Sequence, residues 1–357
     1  MSPRRGNYEL ACNYSNPATV PPPGVGGFQV RSLAITDDGK TIFVGSGPND
    51  AVYVVRKLSC VYQISQTIAI SAANLGDSIA VSPCGEWLFI GDSSATTNQG
   101  SVIVYQLQSG VYQQHSTLTA SDPLNNAFFG DRLAIADTKT LVVGAGGFMG
   151  GDGKVYVFTR QNDDAWLETF TLPNEQPASL FGSSIAVSSG ACKIIVGAPL
   201  FSGAVYEYRR TSMGYVLVQQ LAVDVLIPPG SLFGSALAMS PSGCTLAAPL
   251  TTLDKVAVFV STKHGFKQSA ILDMVILPAA NPRGVELVGD GKVLGISFSN
   301  NNVPFQVWYS CEGTHWTRRQ AAEEGFIFNS FVTLSEDGKT LVSGGLGSQP
   351  LLIYTRK

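Results

Sequence analysis

A seven-residue segment recurs along the chain at intervals of slightly more than fifty residues. Its clearest copies, at 129–135, 181–187 and 233–239, read Phe-Gly, two variable residues, Leu or Ile, Ala and an apolar residue. A fourth copy at 75–81 begins with Leu instead of Phe. The central alanines of these copies are Ala80, Ala134, Ala186 and Ala238, which lie 54, 52 and 52 residues apart. Self-similarity at this period is typical of repeat proteins, in which each unit buries its apolar face against its neighbours.

Three further apolar runs follow each copy, and together they predict four short strands per repeat. The second runs are 87–91, 141–144, 194–199 and 246–249, and the third runs are 102–105, 155–158, 205–208 and 256–259. Each fourth run begins with an aromatic residue: Tyr112, Trp166, Tyr215 and Phe266. Because no helical period interrupts these runs, the repeat unit is expected to be a small antiparallel sheet.

Three weaker copies bring the number of repeats to seven. They span 33–55, 285–309 and 328–354, and each carries an Asp-Gly turn between two apolar runs. This dipeptide is a strong hairpin signal because such a turn needs positive φ at its centre. The last copy stops after its third strand, and residues 8–12 can supply the missing fourth strand and close the ring.

The sequence therefore predicts an all-β chain that folds as a single seven-bladed β-propeller with four antiparallel strands per blade. The N-terminal strand is expected to pair with the last blade. The predicted blades are 27–70, 73–120, 127–173, 179–223, 231–274, 283–321 and 326–357 completed by 7–14, so that residues 1–357 form one domain.

The motif residues resemble those of FG-GAP repeats, which build the seven-bladed propellers at the N-terminus of integrin α subunits. The residues that carry the resemblance are Phe129, Gly130, Phe181, Gly182, Phe233 and Gly234, together with Gly197, Ala198 and Pro199 of the best copy. We expect the phenylalanines to wedge between blades and the following glycines to let the chain enter the crowded innermost strand. The central alanines are expected to let adjacent blades approach closely.

Members of this family often hold Ca²⁺ in the loop between the second and third strands, through an Asp-x-Asp/Asn-x-Asp run. The corresponding loops here are 46–50, 92–100, 146–153, 200–203 and 250–254, and none carries that run. Because Ca²⁺ prefers six to eight oxygen ligands, no metal or other cofactor is predicted. Asp92 and Asp152 are interpreted as turn-forming residues.

The composition argues against nucleic-acid and membrane partners. Charged residues make up 14% of the chain and the formal net charge is −3, whereas ordinary soluble domains have about 25% charged residues. The chain lacks the basic stripe that nucleic-acid binding needs. No stretch approaches 18 consecutive apolar residues and no apolar run follows Arg4 and Arg5, so neither a transmembrane helix nor a signal peptide is predicted. We expect a location in the cytoplasm or within a particle or organelle.

The low charge leaves two interpretations of the surface open. It is either the surface of a soluble β-protein with few charges or a surface that partners cover in an assembly. The six cysteines are widely scattered without a C-x-x-C spacing. They are expected to be free thiols, which argues against a zinc site.

No catalytic constellation is predicted. His115 lies in a fourth, outer strand, and His264 and His315 lie in turns at the outer rim, so none can join a nucleophile and a carboxylate. One ring of positions lies three residues before each central alanine or its equivalent. It consists of Arg31, Asp77, Asp131, Ser183, Ser235, Val285 and Ser330 and is expected at one mouth of the central channel.

Arg31, Asp77 and Asp131 come from successive blades and are the candidate contact residues for a ligand or partner. The alternative is an Arg31–Asp77 pair that only balances local charge. Together these observations favour a non-catalytic protein-binding or assembly scaffold that uses the propeller loops and faces. One alternative is a structural component of a large viral or organellar particle, and a less favoured one is a propeller hydrolase or lyase with its site at the channel mouth.

Overall fold

The computed structural model describes most of the chain, and strands dominate it. The described residues are 8–13, 30–46, 51–59, 61–69, 75–174, 176–177, 179–201, 203–274, 282–298, 305–321, 330–345 and 351–356. They form seven four-stranded antiparallel sheets. In this part of the chain no helix is long and apolar enough to cross a membrane.

The strands follow one another in chain order within each sheet. The N-terminal strand is β1 (Tyr8–Asn13), and the first sheet contains β2 (Val30–Ile35), β3 (Thr41–Ser46), β4 (Ala51–Leu58) and β5 (Val61–Ala69). The second contains β6 (Leu75–Val81), β7 (Trp87–Asp92), the single turn α1 (Ala95–Asn98), β8 (Ser101–Gln108) and β9 (Val111–Leu118). The third contains β10 (Arg132–Ile135), β11 (Thr140–Ala145), the single turn α2 (Phe148–Gly151), β12 (Lys154–Arg160) and β13 (Trp166–Leu172).

The remaining sheets repeat this order. The fourth contains β14 (Ser184–Val187), β15 (Lys193–Ala198), β16 (Ala204–Thr211) and β17 (Gly214–Gln220), with a 3₁₀ turn at Ser189–Ala191. The fifth contains β18 (Ala238–Met239), β19 (Thr245–Leu250), β20 (Lys255–Thr262) and β21 (Gly265–Asp273), with a 3₁₀ turn at Thr251–Leu253. The sixth contains β22 (Pro282–Val288), β23 (Val293–Phe298), β24 (Phe305–Ser310) and β25 (Trp316–Ala321), and the seventh contains β26 (Ser330–Leu334), β27 (Thr340–Gly345) and β28 (Leu352–Arg356).

The seven sheets are the blades of a propeller around a central channel. The first strand of each blade contacts the first strand of the next, and β26 of the seventh blade contacts β2 of the first. Second strands such as β7, β11, β19 and β23 are buried along their whole length, whereas the fourth strand β9 alternates between buried and exposed residues. Continuous burial is expected for strands covered on both faces, and alternation for strands with one wet face.

The N-terminal strand completes the seventh blade. β1 pairs antiparallel with β28, with Leu10 opposite Tyr354 and Cys12 opposite Ile353. Val30 of the first blade shares a buried core with Val342 and Ile353 of the seventh. The predicted seven-bladed architecture and the pairing of the N-terminal strand with the last blade are both confirmed.

The Phe-Gly motif of one blade contacts the Gly-Ala-Pro motif of the preceding blade. Gly234 has φ +90, a conformation that side chains disfavour, and its carbonyl oxygen lies where a Cβ on Gly197 of the preceding blade would stand. The same contact joins Gly182 to Gly144 and Gly130 to Gly91. The two glycines of the motif are therefore needed because backbone meets backbone between blades.

The motif phenylalanines wedge between blades, as predicted. Phe129, Phe181 and Phe233 are 0%, 0% and 1% exposed. Phe181 packs in one core with Val155 and Val157 of the third blade and Tyr206 of the fourth. A buried aromatic side chain of this size is one of the largest single contributions to such a core.

The ring has two faces of different character. The loop face carries the connections between blades and the loops between second and third strands, such as 146–153. The hairpin face carries the tight turns between first and second strands and between third and fourth strands, such as 136–140 and 160–166. The first strands begin at the loop face and end at the hairpin face.

Candidate functional site

A cavity lies at the loop-face mouth of the channel. Its volume is about 640 Å³, within the ~300–1,000 Å³ typical of small-molecule sites. The polar side chains that line it are Arg31, Ser32, Ser78, Asp131, Arg132, Ser184 and Ser235. Of the predicted ring, Arg31, Asp131, Ser235 and Val285 line this cavity.

Asp131 is held by its neighbour in the sequence. Arg132 donates from Nη1 to the Asp131 carboxylate at 3.0 Å and to the Asp131 backbone oxygen at 2.6 Å. Both side chains are partly or fully exposed, and Arg31 is exposed on the first blade. Exposed ion pairs contribute little to stability, so these charges are better suited to contact with a ligand or partner than to holding the fold.

Other members of the predicted ring behave differently. Asp77 lies in β6 beside the bulge before Ser78, and its side chain lies outside the described part of the structure, so the predicted Arg31–Asp77 pair stays a prediction. Ser183 turns back and donates to the carbonyl of Leu180 at 2.7 Å. In the sixth blade the strand register gives Arg283, not Val285, as the equivalent of Arg31. Arg31 lies at the bulge between Val30 and Ser32, and Arg283 lies at the corresponding bulge between Pro282 and Gly284.

The histidines do not meet at this mouth. His115 lies in β9, where it contacts Trp87 edge-on at 5.1 Å between ring centroids. His264 and His315 are exposed in turns of the hairpin face, in the fifth and sixth blades. The structure thus places the three imidazoles in three different blades, on the outer strands and turns where the sequence predicted them.

In the loops between second and third strands, an acidic residue forms a hydrogen bond with a neighbour in the sequence. Asp92 is 5% exposed and accepts a hydrogen bond from Ser94 Oγ at 3.0 Å. Among the described residues no group of three or more His, Cys, Asp or Glu side chains is arranged to hold a metal ion. The role of Asp92 is therefore that of a turn residue, and the prediction that the protein needs no metal stays a prediction.

Sequence reasoning missed a second feature of the loop face. Five bulky apolar residues there have left-handed backbone conformations, with φ between +50 and +59. We call them the apolar arc; they are Phe128, Met149, Leu180, Phe201 and Leu232. For non-glycine residues this region costs about 1–2 kcal/mol each, and polar residues such as Asn normally fill it.

The arc is also exposed to solvent. Met149 and Phe201 are 66% and 68% exposed, and Phe128 and Leu232 are 36% and 41% exposed. Leu180 is half-buried. Large apolar side chains that project from strained positions into solvent are a candidate interaction surface.

Backbone hydrogen bonds hold the arc together across three blades. Leu180 N donates to Gly151 O at 2.7 Å, and Gly230 N donates to Phe201 O at 2.6 Å. The ring of Phe128 packs against Gly147, at the start of the loop that carries Met149. The arc is therefore continuous from the third blade to the fifth.

The sequence does contain a signal for part of the arc. Phe128, Leu180 and Leu232 each stand directly before a Phe-Gly pair, whereas the second repeat has Asn74 at that position. In all three blades the carbonyl of this residue accepts a hydrogen bond from the backbone three residues on. The fixed turn requires the left-handed conformation, but nothing in the turn requires an apolar side chain.

Comparison with known protein families agrees with the motif. The model of the FG-GAP repeat matches residues 112–158, which run from the fourth strand of the second blade to the third strand of the third. This stretch of the chain is similar to the FG-GAP repeat, and the seven-bladed fold agrees with that resemblance. The matched stretch contains Phe129 and Gly130, whose contacts with the second blade were described above. No curated protein matches the sequence at a significant level.

Solved structures with the same architecture share little sequence with this chain. The β-propeller domain of Cps50 (Swd1) from Myceliophteria thermophila superposes with a TM-score of 0.68 at 12% identity and covers 91% of this chain and 96% of its own. A chain of the Mitotic Checkpoint Complex has a TM-score of 0.68 at 15% identity and covers 100% and 94%. A "putative 6-phosphogluconolactonase" from Bacteroides uniformis has a TM-score of 0.66 at 15% identity and covers 91% and 91%. At these identities the similarity extends to the fold alone.

Proposed function

We propose that this seven-bladed propeller is a non-catalytic binding module that holds a protein partner on its loop face. The apolar arc makes the main contact and the charged mouth of the channel lies beside it. The observation that carries the proposal is that four of the five bulky apolar side chains of the arc are exposed, at positions whose backbone favours Asn or Gly. Interface energy commonly concentrates in a few such large side chains.

The chemistry of the mouth supports the same proposal. Arg31 and the Asp131–Arg132 pair give the rim of the arc both signs of charge. A polar rim around an apolar contact is the usual anatomy of a protein interface. One of the similar solved structures is a chain of the Mitotic Checkpoint Complex, so this architecture occurs in a protein complex.

The test uses a variant that should separate binding from stability. In the arc variant, Phe128→Asn, Leu180→Asn and Leu232→Asn replace apolar residues with the residue type that best tolerates left-handed φ. We expect its melting temperature to equal or exceed that of the wild type, while partner binding falls at least tenfold. The readout is the set of proteins that immobilised wild type and variant retain from an extract of the source, quantified by mass spectrometry.

A control on the opposite face replaces three apolar side chains that are more exposed than those of the arc variant. Leu58→Asn, Val111→Asn and Met213→Asn replace residues that are 50%, 48% and 91% exposed at turns of the hairpin face. This control should retain the same partner as the wild type. If the arc variant retains it equally well, the arc is not the binding surface.

Assembly into a large particle is the finer form of this proposal. It requires the retained partner to co-purify at a fixed stoichiometry through successive size-exclusion and gradient steps. A partner that dissociates on dilution would mean transient binding instead.

An enzyme centred on the channel mouth is the second candidate function. The 640 Å³ cavity with the Arg31 and Arg132 side chains favours it, and the fold is also that of the putative 6-phosphogluconolactonase. The test is a pH-stat assay of 6-phosphogluconolactone hydrolysis with the wild type and the Arg31→Ala, Asp77→Ala, Asp131→Ala variant. We expect no hydrolysis above the spontaneous rate; a wild-type rate that the triple substitution abolishes would make the protein an enzyme.

A further inference from the structure

The channel contains a second cavity at its hairpin-face end. It has a volume of about 280 Å³ and is lined by the first strands of all seven blades. This size lies just below the ~300–1,000 Å³ of typical small-molecule sites, so it suits a ligand of a few heavy atoms. Aliphatic residues such as Leu33, Ile79 and Leu133 belong to its wall, but polar atoms make up most of the surface that the wall exposes to the cavity.

One carboxyl group interrupts this wall. Gly289 N donates to Glu336 O of the next blade, as Asp37 N donates to Pro83 O and Ser189 N to Pro241 O. This repeated bond shows which residues are equivalent in the different blades. Glu286 lies three residues before the donor Gly289, and an alanine has the same position in each of the first five blades. Thr333 has the same position in the seventh blade, two residues before the turn residue Ser335. The sequence repeat alone did not reveal this substitution.

Among the residues that the structure describes, no basic group forms an ion pair with Glu286. Glu286 is half-buried and lines the cavity, and its Cβ lies near Gly295, at a place that Val332 and Leu334 of the seventh blade also border. Burial, and after it the negative charge of Glu336, raises the pKa of Glu286 to about 8. Within the described residues, no donor forms a hydrogen bond with this carboxyl group.

The turns around this end of the channel are acidic. Burial, followed by the charges of Asp37, Asp290 and Asp337, raises the pKa of Glu336 to about 7, although the backbone N–H of Asp290 donates to its carboxylate and opposes the rise. Burial and then the charge of Asp38 raise the pKa of Asp37. The lysines of two of these turns are engaged locally, since Lys40 pairs with Asp38 at 3.2 Å and Lys339 with Asp337 at 3.3 Å. Lys292 is the third lysine of these turns.

We propose that the hairpin-face end of the channel binds the ammonium group of a small primary amine, with the ammonium against the Glu286 carboxylate. The ligand class is a small primary amine. A carboxylate that lines a small polar cavity is complementary to a cation with several N–H donors. The acidic turns add attraction for any cation that approaches from the hairpin face.

A metal ion fits this cavity less well than an amine. Ca²⁺ and similar hard cations need six to eight oxygen ligands. Glu286 and Thr333 are the polar side chains that the described lining contributes. An ammonium group needs three acceptors, which one carboxylate and the strand carbonyls can supply.

The experiment is a calorimetric titration of the wild-type chain with n-hexylamine at pH 6 and pH 8.5. 1-Hexanol and calcium chloride serve as the uncharged and metal probes. Since only the ionised Glu286 attracts the ammonium, binding should release a proton and tighten by up to about tenfold per pH unit below the pKa. Titrations in two buffers with different ionisation enthalpies measure this proton release without any substitution.

Two variants locate the site. Glu286→Ala restores the residue of the first five blades, so the ring should remain intact, and the affinity for hexylamine should fall at least tenfold. Glu312→Gln, in an exposed turn of the same blade, should bind hexylamine as the wild type does. Saturable binding that tightens with pH, releases a proton and needs Glu286 would support the proposal. Equal binding by Glu286→Ala, equal heats from 1-hexanol, binding of calcium alone or the absence of any saturable heat would overturn it.

Discussion

Two kinds of junction between neighbouring blades differ in the contacts that close them. One kind joins the third, fourth and fifth blades to the blade before each, and the other joins the seventh blade to the first. In the former, the carbonyl of a Phe-Gly turn lies against a glycine of the preceding blade, as Gly234 lies against Gly197. At the seventh–first junction the same place is filled by a side chain: Val30 is 1% exposed and packs against Gly344. The FG-GAP motif therefore marks junctions where backbone meets backbone, and its absence marks junctions closed by side chains.

On the hairpin face, both kinds of junction have the same type of contact. The turn glycine Gly85 of the second blade packs on Thr36 of the first, and Gly291 of the sixth packs on Thr245 of the fifth. Gly39 likewise packs on Thr340 across the seventh–first junction. Strong and weak copies of the repeat thus share one contact, and only the loop-face contact distinguishes them.

The largest expected effect comes from removing a motif aromatic. Phe181→Ala should reduce the free energy of unfolding by about 3–5 kcal/mol, because it leaves a large cavity between two blades. Val30→Ala removes only two methyl groups at the weaker junction and should cost about 2 kcal/mol. Urea unfolding of both variants measures the difference. Equal losses would mean that the two junctions are equally dependent on one side chain.

Glycine substitutions test the kind of contact directly. A Cβ on Gly197 would overlap the backbone of Gly234, whereas a Cβ on Gly344 would lie 2.8 Å from Cγ2 of Val30, a side-chain atom that can shift. We expect Gly197→Ala to cost about 3 kcal/mol and Gly344→Ala about 1 kcal/mol. A milder effect at Gly197 than at Gly344 would contradict the distinction.

The pH dependence of stability tests the polar residue of the weaker blades. Because the folded-state pKa of Glu286 is raised to about 8, the folded state binds more protons than the unfolded state between pH 4.5 and 8. The contribution of Glu286 to the free energy of unfolding is therefore fully present below about pH 4.5, and it is lost as the pH rises through 8. Between pH 5 and 9 we expect the wild type to lose roughly 2 kcal/mol more than Glu286→Ala. Parallel thermal melts at each pH provide the measurement, and parallel curves for the two proteins would contradict it.

The smallest effect concerns the backbone of the arc. Leu232→Asn should raise the free energy of unfolding by up to about 1 kcal/mol, because Asn relieves left-handed strain that Leu bears. Leu217→Asn replaces a leucine of similar exposure in a regular strand, β17, and should be neutral or destabilising. Loss of stability at position 232 would show that the Leu232 side chain serves the fold more than a partner.

The architecture was predictable because each repeat contains the residues that form its own turns and its contacts with the neighbouring blades. Phe129, Phe181 and Phe233 are large, apolar and regularly spaced, and Asp-Gly turns locate the hairpins of the weaker copies. Strand counting even placed β1, since the last blade lacked one strand. These signals are local in sequence and repeat several times, which makes them reliable.

The surfaces were less predictable for a physical reason. Leu180 and Phe201 look like core residues in the sequence, and only the left-handed backbone shows that one is half-buried and the other is exposed. Glu286 could not be aligned to the alanine position because the sixth repeat differs in register, which also misplaced Val285 in the predicted ring. Both features depend on three-dimensional alignment of blades whose sequences have diverged.

The most direct test of the account is the native mass of the protein in an extract of its source, compared with that of the Phe128→Asn, Leu180→Asn, Leu232→Asn variant expressed in its place. Size-exclusion chromatography with light scattering and mass spectrometry of each fraction gives both mass and partners. The account predicts that the wild type elutes with a partner and that the variant elutes as a folded single chain. Elution of both proteins in the same complex, or of both as single chains, would contradict it.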